Sequence, residues 1–150
     1  MAHVYIGIMT GTSLDGLDAV MVDFSDCTHD SVTSLKLLAS TNLSYPAPLK
    51  EEMLSLQAGS DGQGVNELHR SRVAALNLSH LHVKAVAQLL KSASALPTDI
   101  AAMGVHGQTV RHAPNAVSPY TIQLIDASYI AEASGCTVVS DFRSRDIAAG

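Results

Sequence analysis

Short apolar runs separated by turn-forming residues occupy the first third of the chain. Residues 4–9 (VYIGIM) and 19–24 (AVMVDF) are rich in β-branched and aromatic side chains, which is typical of strands. The intervening TGTSLDG segment at 10–16 is rich in turn formers, so we predict a hairpin. A third strand is predicted at 35–43, ending before the Tyr-Pro-Ala-Pro segment at 45–48.

Helical periodicity replaces this pattern in the middle of the chain. A short helix is predicted at 49–57 and a loop at 58–64, and a 3.6-residue apolar period predicts the longest helix at 65–91. Arg72 and Ser79 interrupt its apolar stripe. The residues predicted to form that stripe are Leu68, Ala75, Leu76, Val83, Val86, Ala87 and Leu90.

Strands and helices alternate in the last third. Strands are predicted at 100–105, 121–124 and 137–140, and a helix at 127–134. Three tightly connected strands followed by this alternation predict an α/β fold whose mixed sheet begins with an antiparallel hairpin and has flanking helices. No helix is predicted for 146–150, so we expect the natural protein to continue beyond Gly150.

Composition narrows the function classes. With 150 residues, 47% of them hydrophobic and 15% charged, the chain has the size of one folded domain and too little charge for disorder. The net charge of −5 argues against nucleic-acid and anionic-membrane partners. No basic leader or apolar run of about 18 residues is present, and Cys27 and Cys136 form no CxxC pair, so we expect a cytoplasmic protein with unreactive thiols.

The 10–16 turn has the composition of an anion-binding loop. Gly11 and Gly16 permit positive φ and close approach of a ligand to the backbone. Thr10, Thr12 and Ser13 add hydroxyl donors, and consecutive backbone N–H groups in such turns bind anions.

The same turn contains no lysine and is therefore not a Walker loop. Phosphates bound here would need Mg²⁺, for which Asp15 or Asp18 is the candidate ligand, directly or through water. An ordinary hairpin turn has a similar composition, so the pattern alone leaves both interpretations open.

Two further polar segments follow predicted strands, where open α/β sheets bind their ligands. The first segment, His106-Gly-Gln-Thr109, follows the strand predicted at 100–105. Arg111 nearby is suited to bind a carboxylate in bidentate fashion. The alternative is that these side chains only satisfy loop backbone groups. Asp141 ends the second strand, and with Arg143 or Arg145 it forms either part of a site or a structural ion pair. His80 and His82, two apart on a helix, face different directions and form no metal pair.

Taken together, three segments of the chain resemble the signatures of anhydro-N-acetylmuramic acid kinases: 7–18 (GIMTGTSLDGLD), 105–112 (VHGQTVRH) and 138–150 (VVSDFRSRDIAAG). The resemblance runs from residue 4 to 150 and is weakest between 26 and 97. It implies a ribonuclease-H-like, actin-like ATPase fold, with residues 1–150 forming the N-terminal lobe of a two-lobe sugar kinase that uses ATP and Mg²⁺.

The resemblance also implies the reaction and the site. The family opens the 1,6-anhydro bond of the cell-wall sugar with water and phosphorylates its 6-oxygen, giving N-acetylmuramic acid 6-phosphate. The general base lies beyond Gly150, so no residue of this chain is assigned a catalytic role. Two sets are implied: Gly11, Thr12, Ser13, Leu14, Asp15 and Gly16 at the ATP phosphates, and His106, Gly107, Gln108, Thr109, Asp141, Arg143 and Asp146 at the sugar.

One position departs from the family pattern: Ile125 stands where members usually have glycine. We expect the 150-residue chain to be inactive by itself, and a homodimer is left open. The alternative function is a truncated, non-catalytic module that binds a cell-wall sugar or another subunit. A kinase for acetate or glycerol is a weaker alternative, because the HGQT and DFRSRD segments disfavour it.

Overall fold

A five-stranded mixed sheet forms the centre of the protein. The computed structural model describes residues 3–26, 35–58 and 65–150, so Cys27 and most of the predicted 58–64 loop lie outside the described residues. In spatial order the strands are β3 (Lys36–Ser44), β2 (Gly16–Asp23), β1 (Val4–Thr10), β4 (Ile100–Val105) and β7 (Val138–Val139).

The strand directions confirm the predicted fold class. β1 pairs antiparallel with β2, and β2 pairs antiparallel with β3. β4 runs parallel to β1, and β7 runs parallel to β4. An antiparallel start with parallel additions and flanking helices is the arrangement expected of a ribonuclease-H-like domain. The carboxyl ends of β1 and β4 therefore lie side by side.

Helices cover the face of this sheet that buries Ile6, Ile8 and Met21. α2 (Glu67–Ala93) packs on β2 and β3, and α1 (Ala47–Ala58) packs against α2. Apolar side chains of the helices and of this face of the sheet pack together and form the core. Alternate residues of β1 and β2 are therefore buried.

The predicted stripe of α2 is partly wrong. Leu68, Leu76 and Ala87 are exposed. The buried face instead contains two polar residues, Ser79, which interrupts the predicted stripe, and His82. Ser79 is fully buried because its hydroxyl donates to the Ala75 carbonyl (2.8 Å) and accepts from the Asp126 backbone N–H (2.9 Å). The buried residues are Ala74, Ala75, Leu78, Ser79, His82, Ala85, Val86 and Leu89.

His82 is completely buried on this helix, whereas His80 is exposed and contacts the Tyr129 ring edge-to-face. The two histidines face different directions, as predicted. His82 Nδ1 lies 2.8 Å from the Leu78 carbonyl, and its Nε2 is buried without a hydrogen-bond partner. Burial lowers the pKa of His82 to about 4, so the ring is neutral at pH 7.

The remaining elements follow β4 in the sequence. β5 (Gln108–Ala113) and β6 (Tyr120–Leu124) form a separate antiparallel hairpin, followed by α3 (Ala127–Ser134) and, after β7, α4 (Phe142–Ala149). β5 was not predicted, and the expectation that no helix occupies the last residues is wrong. α4 was difficult to recognise because it has no buried residue and its N-cap, Asp141, makes no side-chain capping bond.

The opposite face of the central sheet is largely open. Tyr5, Met9 and Val20 are between 39% and 50% exposed there, although they belong to central strands. Phe142 at the start of α4 covers Gly104, since a Cβ on that glycine would lie 3.4 Å from the ring. Among the described residues, no helix is long and apolar enough to cross a membrane.

Candidate functional site

The turn between β1 and β2 is closed by a hydrogen bond from the Leu14 backbone N–H to the Gly11 carbonyl (3.2 Å). Leu14 has the left-handed backbone (φ 54°) and a fully buried side chain. The side chains of Thr12, Ser13 and Asp15 are exposed. The turn thus presents its hydroxyl and carboxylate groups to solvent while Leu14 fixes it to the core.

Gly11 and Gly16 do not use the positive φ that glycine permits, and in this turn Leu14 takes the left-handed conformation instead. Gly16 is required for a different reason. It lies in β2 against β3, where a Cβ would come within 2.6 Å of the Leu43 carbonyl oxygen. Glycine at this position allows β3 to pack close to the end of the turn.

The loop after β4 meets the end of β1. Gly107 in this loop has φ 72°, and its carbonyl accepts a 2.6 Å hydrogen bond from Thr10 Oγ1. Because Thr10 is the last residue of β1, this bond joins the predicted phosphate turn to the predicted sugar loop. The structure therefore brings the first two sequence segments together at one edge of the sheet.

A polar junction, comprising Thr10, Tyr45, Gly107 and Gln108, lies beneath that edge. Gln108 is fully buried, and the Tyr45 hydroxyl is 3.5 Å from its Oε1. Burial raises the pKa of Tyr45 to about 12. Gln108 supports the loop from inside, whereas His106 and Thr109 are partly exposed.

The Thr10–Gly107 bond is open to a direct test. Thr10→Val keeps the shape of the side chain but removes the buried donor, so we expect the free energy of unfolding to fall by about 1 kcal/mol. Urea denaturation followed by circular dichroism measures this change. The matched control is Thr98→Val, at an exposed threonine, which should change stability by less than about 0.5 kcal/mol. Equal effects of the two substitutions would contradict the contribution of this hydrogen bond.

The third segment approaches the same edge through α4. Arg143 Nε lies 3.0 Å from His106 Nε2, and His106 Nδ1 lies 2.6 Å from the Gly107 carbonyl. Arg143 and Asp146 border a cleft of about 400 Å³ together with His112. Asp141 is exposed at the start of α4, in the left-handed conformation (φ 65°).

Arg111 is not available to a ligand, so its interpretation as a carboxylate-binding residue of the site is wrong. Its guanidinium donates to Glu67 (2.5 Å), to the Val110 carbonyl (2.9 Å) and to the Leu56 carbonyl. These contacts fasten β5 to α1 and α2. Arg111 therefore has a structural role.

The candidate magnesium ligands lie in and just after the turn. Asp18 Oδ1 accepts a 2.8 Å hydrogen bond from Asn42 Nδ2, and the side chain borders a shallow cleft of about 450 Å³ with Met9 and His106. Asp15 is exposed. No group of three potential metal-binding side chains exists in the part of the chain that the structure describes. A single carboxylate fits Mg²⁺ that is bound mainly through phosphates and water, not an all-protein site.

Sequence reasoning missed two contributors to this edge, Tyr45 and Gln123. The Tyr-Pro-Ala-Pro segment at 45–48 predicts only the end of a strand, and no motif marks Tyr45. Gln123 Nε2 donates to Thr109 Oγ1 (3.1 Å), and no motif marked it. Ile125 lies directly beside the sugar loop, since a Cβ on Gly107 would be 3.1 Å from the Ile125 Cβ. The departure from the family pattern is therefore located at the candidate site.

Comparison with known proteins identifies the family to which the chain belongs. A family model described as anhydro-N-acetylmuramic acid kinase matches residues 3–150. The chain is 46% identical over 146 residues to the anhydro-N-acetylmuramic acid kinase of Nitrosomonas europaea, covering 97% of this chain and 38% of the relative. It is 45% identical to the proteins of the same name from Nitrosospira multiformis and Neisseria meningitidis serogroup B, covering 99% of this chain in both cases.

The chain thus spans about 38% of the length of the Nitrosomonas and Nitrosospira relatives. The match to the family extends over nearly every residue, including all three polar segments that meet at the edge of the sheet. This chain belongs to the anhydro-N-acetylmuramic acid kinase family.

Proposed function

We propose that this chain is the N-terminal lobe of an ATP-dependent sugar kinase that converts anhydro-N-acetylmuramic acid to N-acetylmuramic acid 6-phosphate. The observation that carries the proposal is the 2.6 Å contact between Thr10 and Gly107. It places a lysine-free, hydroxyl-rich turn next to a polar loop at the carboxyl ends of β1 and β4. Adjacent binding of a nucleotide and a sugar is the first requirement for phosphoryl transfer between them.

The turn supplies the phosphate contacts. The exposed hydroxyls of Thr12 and Ser13 and the backbone N–H groups of the turn other than that of Leu14 are suited to the oxygens of ATP. Leu14 only shapes the turn, because its side chain is buried and its backbone N–H donates to the Gly11 carbonyl. Mg²⁺ bound by the phosphates and by Asp15 or Asp18 would neutralise part of the phosphate charge.

The sugar subsite is assigned to the facing loop and α4. His106, Thr109 and Arg143 are partly exposed, and Asp141 and Asp146 are exposed, whereas Gly107 and Gln108 shape the loop from beneath. In the proposed reaction, water adds to the anomeric carbon and the bond from that carbon to the bridging oxygen breaks. The released oxygen takes the γ-phosphoryl group of ATP, and ADP leaves as the bond between its β-phosphate and the γ-phosphorus breaks. The base that accepts the proton of water lies in the remaining part of the kinase. We assign the whole enzyme to peptidoglycan recycling in the cytoplasm.

A chimera tests this function. The matched region of the Nitrosomonas europaea relative is replaced by this chain, and formation of N-acetylmuramic acid 6-phosphate is measured with ATP, Mg²⁺ and the anhydro sugar. We expect phosphorylation by the chimera and none by the 150-residue chain alone, since the chain lacks the base.

The parent relative serves as the matched control. A chimera that folds, as judged by circular dichroism, and stays inactive while the parent turns over would contradict the proposed function. Sugar binding by that inactive chimera would instead support the non-catalytic module.

A further inference from the structure

The described arginines fall into two groups. Three form salt bridges: Arg70 with Glu52, Arg72 with Asp126, and Arg111 with Glu67. Arg143 and Arg145 have no acidic partner within the described part of the chain. Arg145 is exposed, but Arg143 is partly buried at the edge of a cleft. A partly buried guanidinium that forms no ion pair is less stable than a paired one, so Arg143, which shares its cleft with Asp146 without forming a salt bridge to it, is unusual among these residues.

The partner of Arg143 is a neutral group. An arginine nitrogen can only donate, so His106 Nε2 must accept the 3.0 Å hydrogen bond from Arg143 Nε. The ring proton of His106 therefore sits on Nδ1 and is donated to the Gly107 carbonyl at 2.6 Å. A neutral imidazole cannot balance the charge of Arg143.

A continuous set of hydrogen bonds holds this arrangement in place. The Gly107 carbonyl accepts from both Thr10 Oγ1 and His106 Nδ1, and His106 in turn accepts from Arg143. The set links β1, the loop after β4 and α4. Arg143 takes part in this set only through its Nε. Its two terminal nitrogens form no hydrogen bond with the described residues.

We propose that Arg143 binds the carboxylate of the sugar acid through its terminal nitrogens, and that His106 positions the guanidinium for this contact. The proposal rests on the proposed function, because it takes the substrate to be a sugar bearing a lactyl carboxylate. Two N–H groups of one guanidinium match the two oxygens of a carboxylate. Asp146 borders the same cleft and is suited to accept hydrogen bonds from sugar hydroxyls.

Phosphate oxygens offer similar chemistry, so the test separates the two sources. The ¹⁵N-labelled 150-residue chain is titrated, in separate experiments, with anhydro-N-acetylmuramic acid, with the neutral anhydro sugar that lacks the lactyl group, with ATP and with inorganic phosphate. We expect the Arg143 Nε–H resonance to shift only with the acidic sugar. A shift with ATP or phosphate, a shift with the neutral sugar, or no shift with the acidic sugar would overturn the assignment.

Variants separate binding from positioning. Arg143→Gln should weaken binding of the acidic sugar about 10- to 100-fold and leave the neutral sugar unaffected. His106→Ala should reduce the preference for the acidic sugar, and His106→Asn should restore part of it because the amide oxygen can accept from Arg143. The matched control is Arg145→Gln, on the same helix, which should bind as the unmodified chain does.

The tautomer of His106 is an independent readout. Long-range ¹H–¹⁵N spectra should show the proton on Nδ1 in the unmodified chain, and an Nε2-protonated ring would contradict the positioning role. Failure of the carboxylate assignment is distinguishable from failure of the proposed function. An active chimera whose Arg143→Gln variant keeps its preference for the acidic sugar would remove only the carboxylate assignment.

Discussion

Gly107→Ala is expected to lower the free energy of unfolding by about 3 kcal/mol. Two costs combine at this position. The backbone has φ 72°, which costs a residue with a side chain about 1–2 kcal/mol. The new Cβ would also lie 2.8 Å from the Leu124 carbonyl oxygen and 3.1 Å from the Ile125 Cβ. The first of these neighbours is backbone and cannot move without displacing β6.

Urea denaturation measures this loss, and Gly7→Ala is the matched control. Gly7 lies in β1, where an added Cβ meets only Val20 Cγ2 at an ordinary 3.7 Å. We expect the control to change stability by less than about 1 kcal/mol, since alanine is tolerated where φ is negative. A Gly107→Ala protein as stable as the control would show that the loop after β4 is not held in the described conformation.

Acidification from pH 6.5 to 4 is expected to remove about 3 kcal/mol of stability through His82 alone. Burial lowers its pKa from 6.5 to about 4 in the folded protein, whereas the unfolded chain keeps the ordinary value. Between these values the unfolded state binds more protons, so stability rises with pH across this window. The contribution is complete above about pH 6.5 and is lost as pH falls through about 4.

The measurement is the free energy of unfolding as a function of pH, compared with that of His82→Leu. Leucine fills a similar volume and removes the buried, unpaired Nε2, so the variant should lose this part of the pH dependence. The matched control is His69→Gln, which removes an exposed histidine of the same helix without changing the core. Parallel curves for the unmodified protein and His82→Leu would contradict the depressed pKa.

Much of the central sheet was predictable because its strands carry strong local signals. The hairpin of β1 and β2 is marked by β-branched runs around a turn, and β4 by an apolar run after Pro97. The apolar face of α2 was misplaced because burial of Ser79 and His82 depends on partners that the local pattern does not show. Ser79 is buried because it bonds to the backbone of Asp126, which is 47 residues away.

The candidate site was predictable in composition but not in its contacts. End-of-strand segments converge in parallel sheets, so the meeting of the turn with the loop after β4 follows from topology. The roles of the arginines do not follow from it. Arg111 is sequestered by Glu67, while Arg143 reaches His106 across 37 residues through a helix with no strong sequence signal. These roles depend on contacts between residues that are far apart in the sequence.

Leu14 has a consequence for how the turn can respond to a bound molecule. Its side chain is anchored in the core and its backbone occupies the left-handed region, so the turn is set in shape before any ligand arrives. The entropic cost of ordering it is met during folding and does not weaken the later association. Under the proposed function, this turn is therefore a preorganised cradle to which the phosphates of ATP must conform.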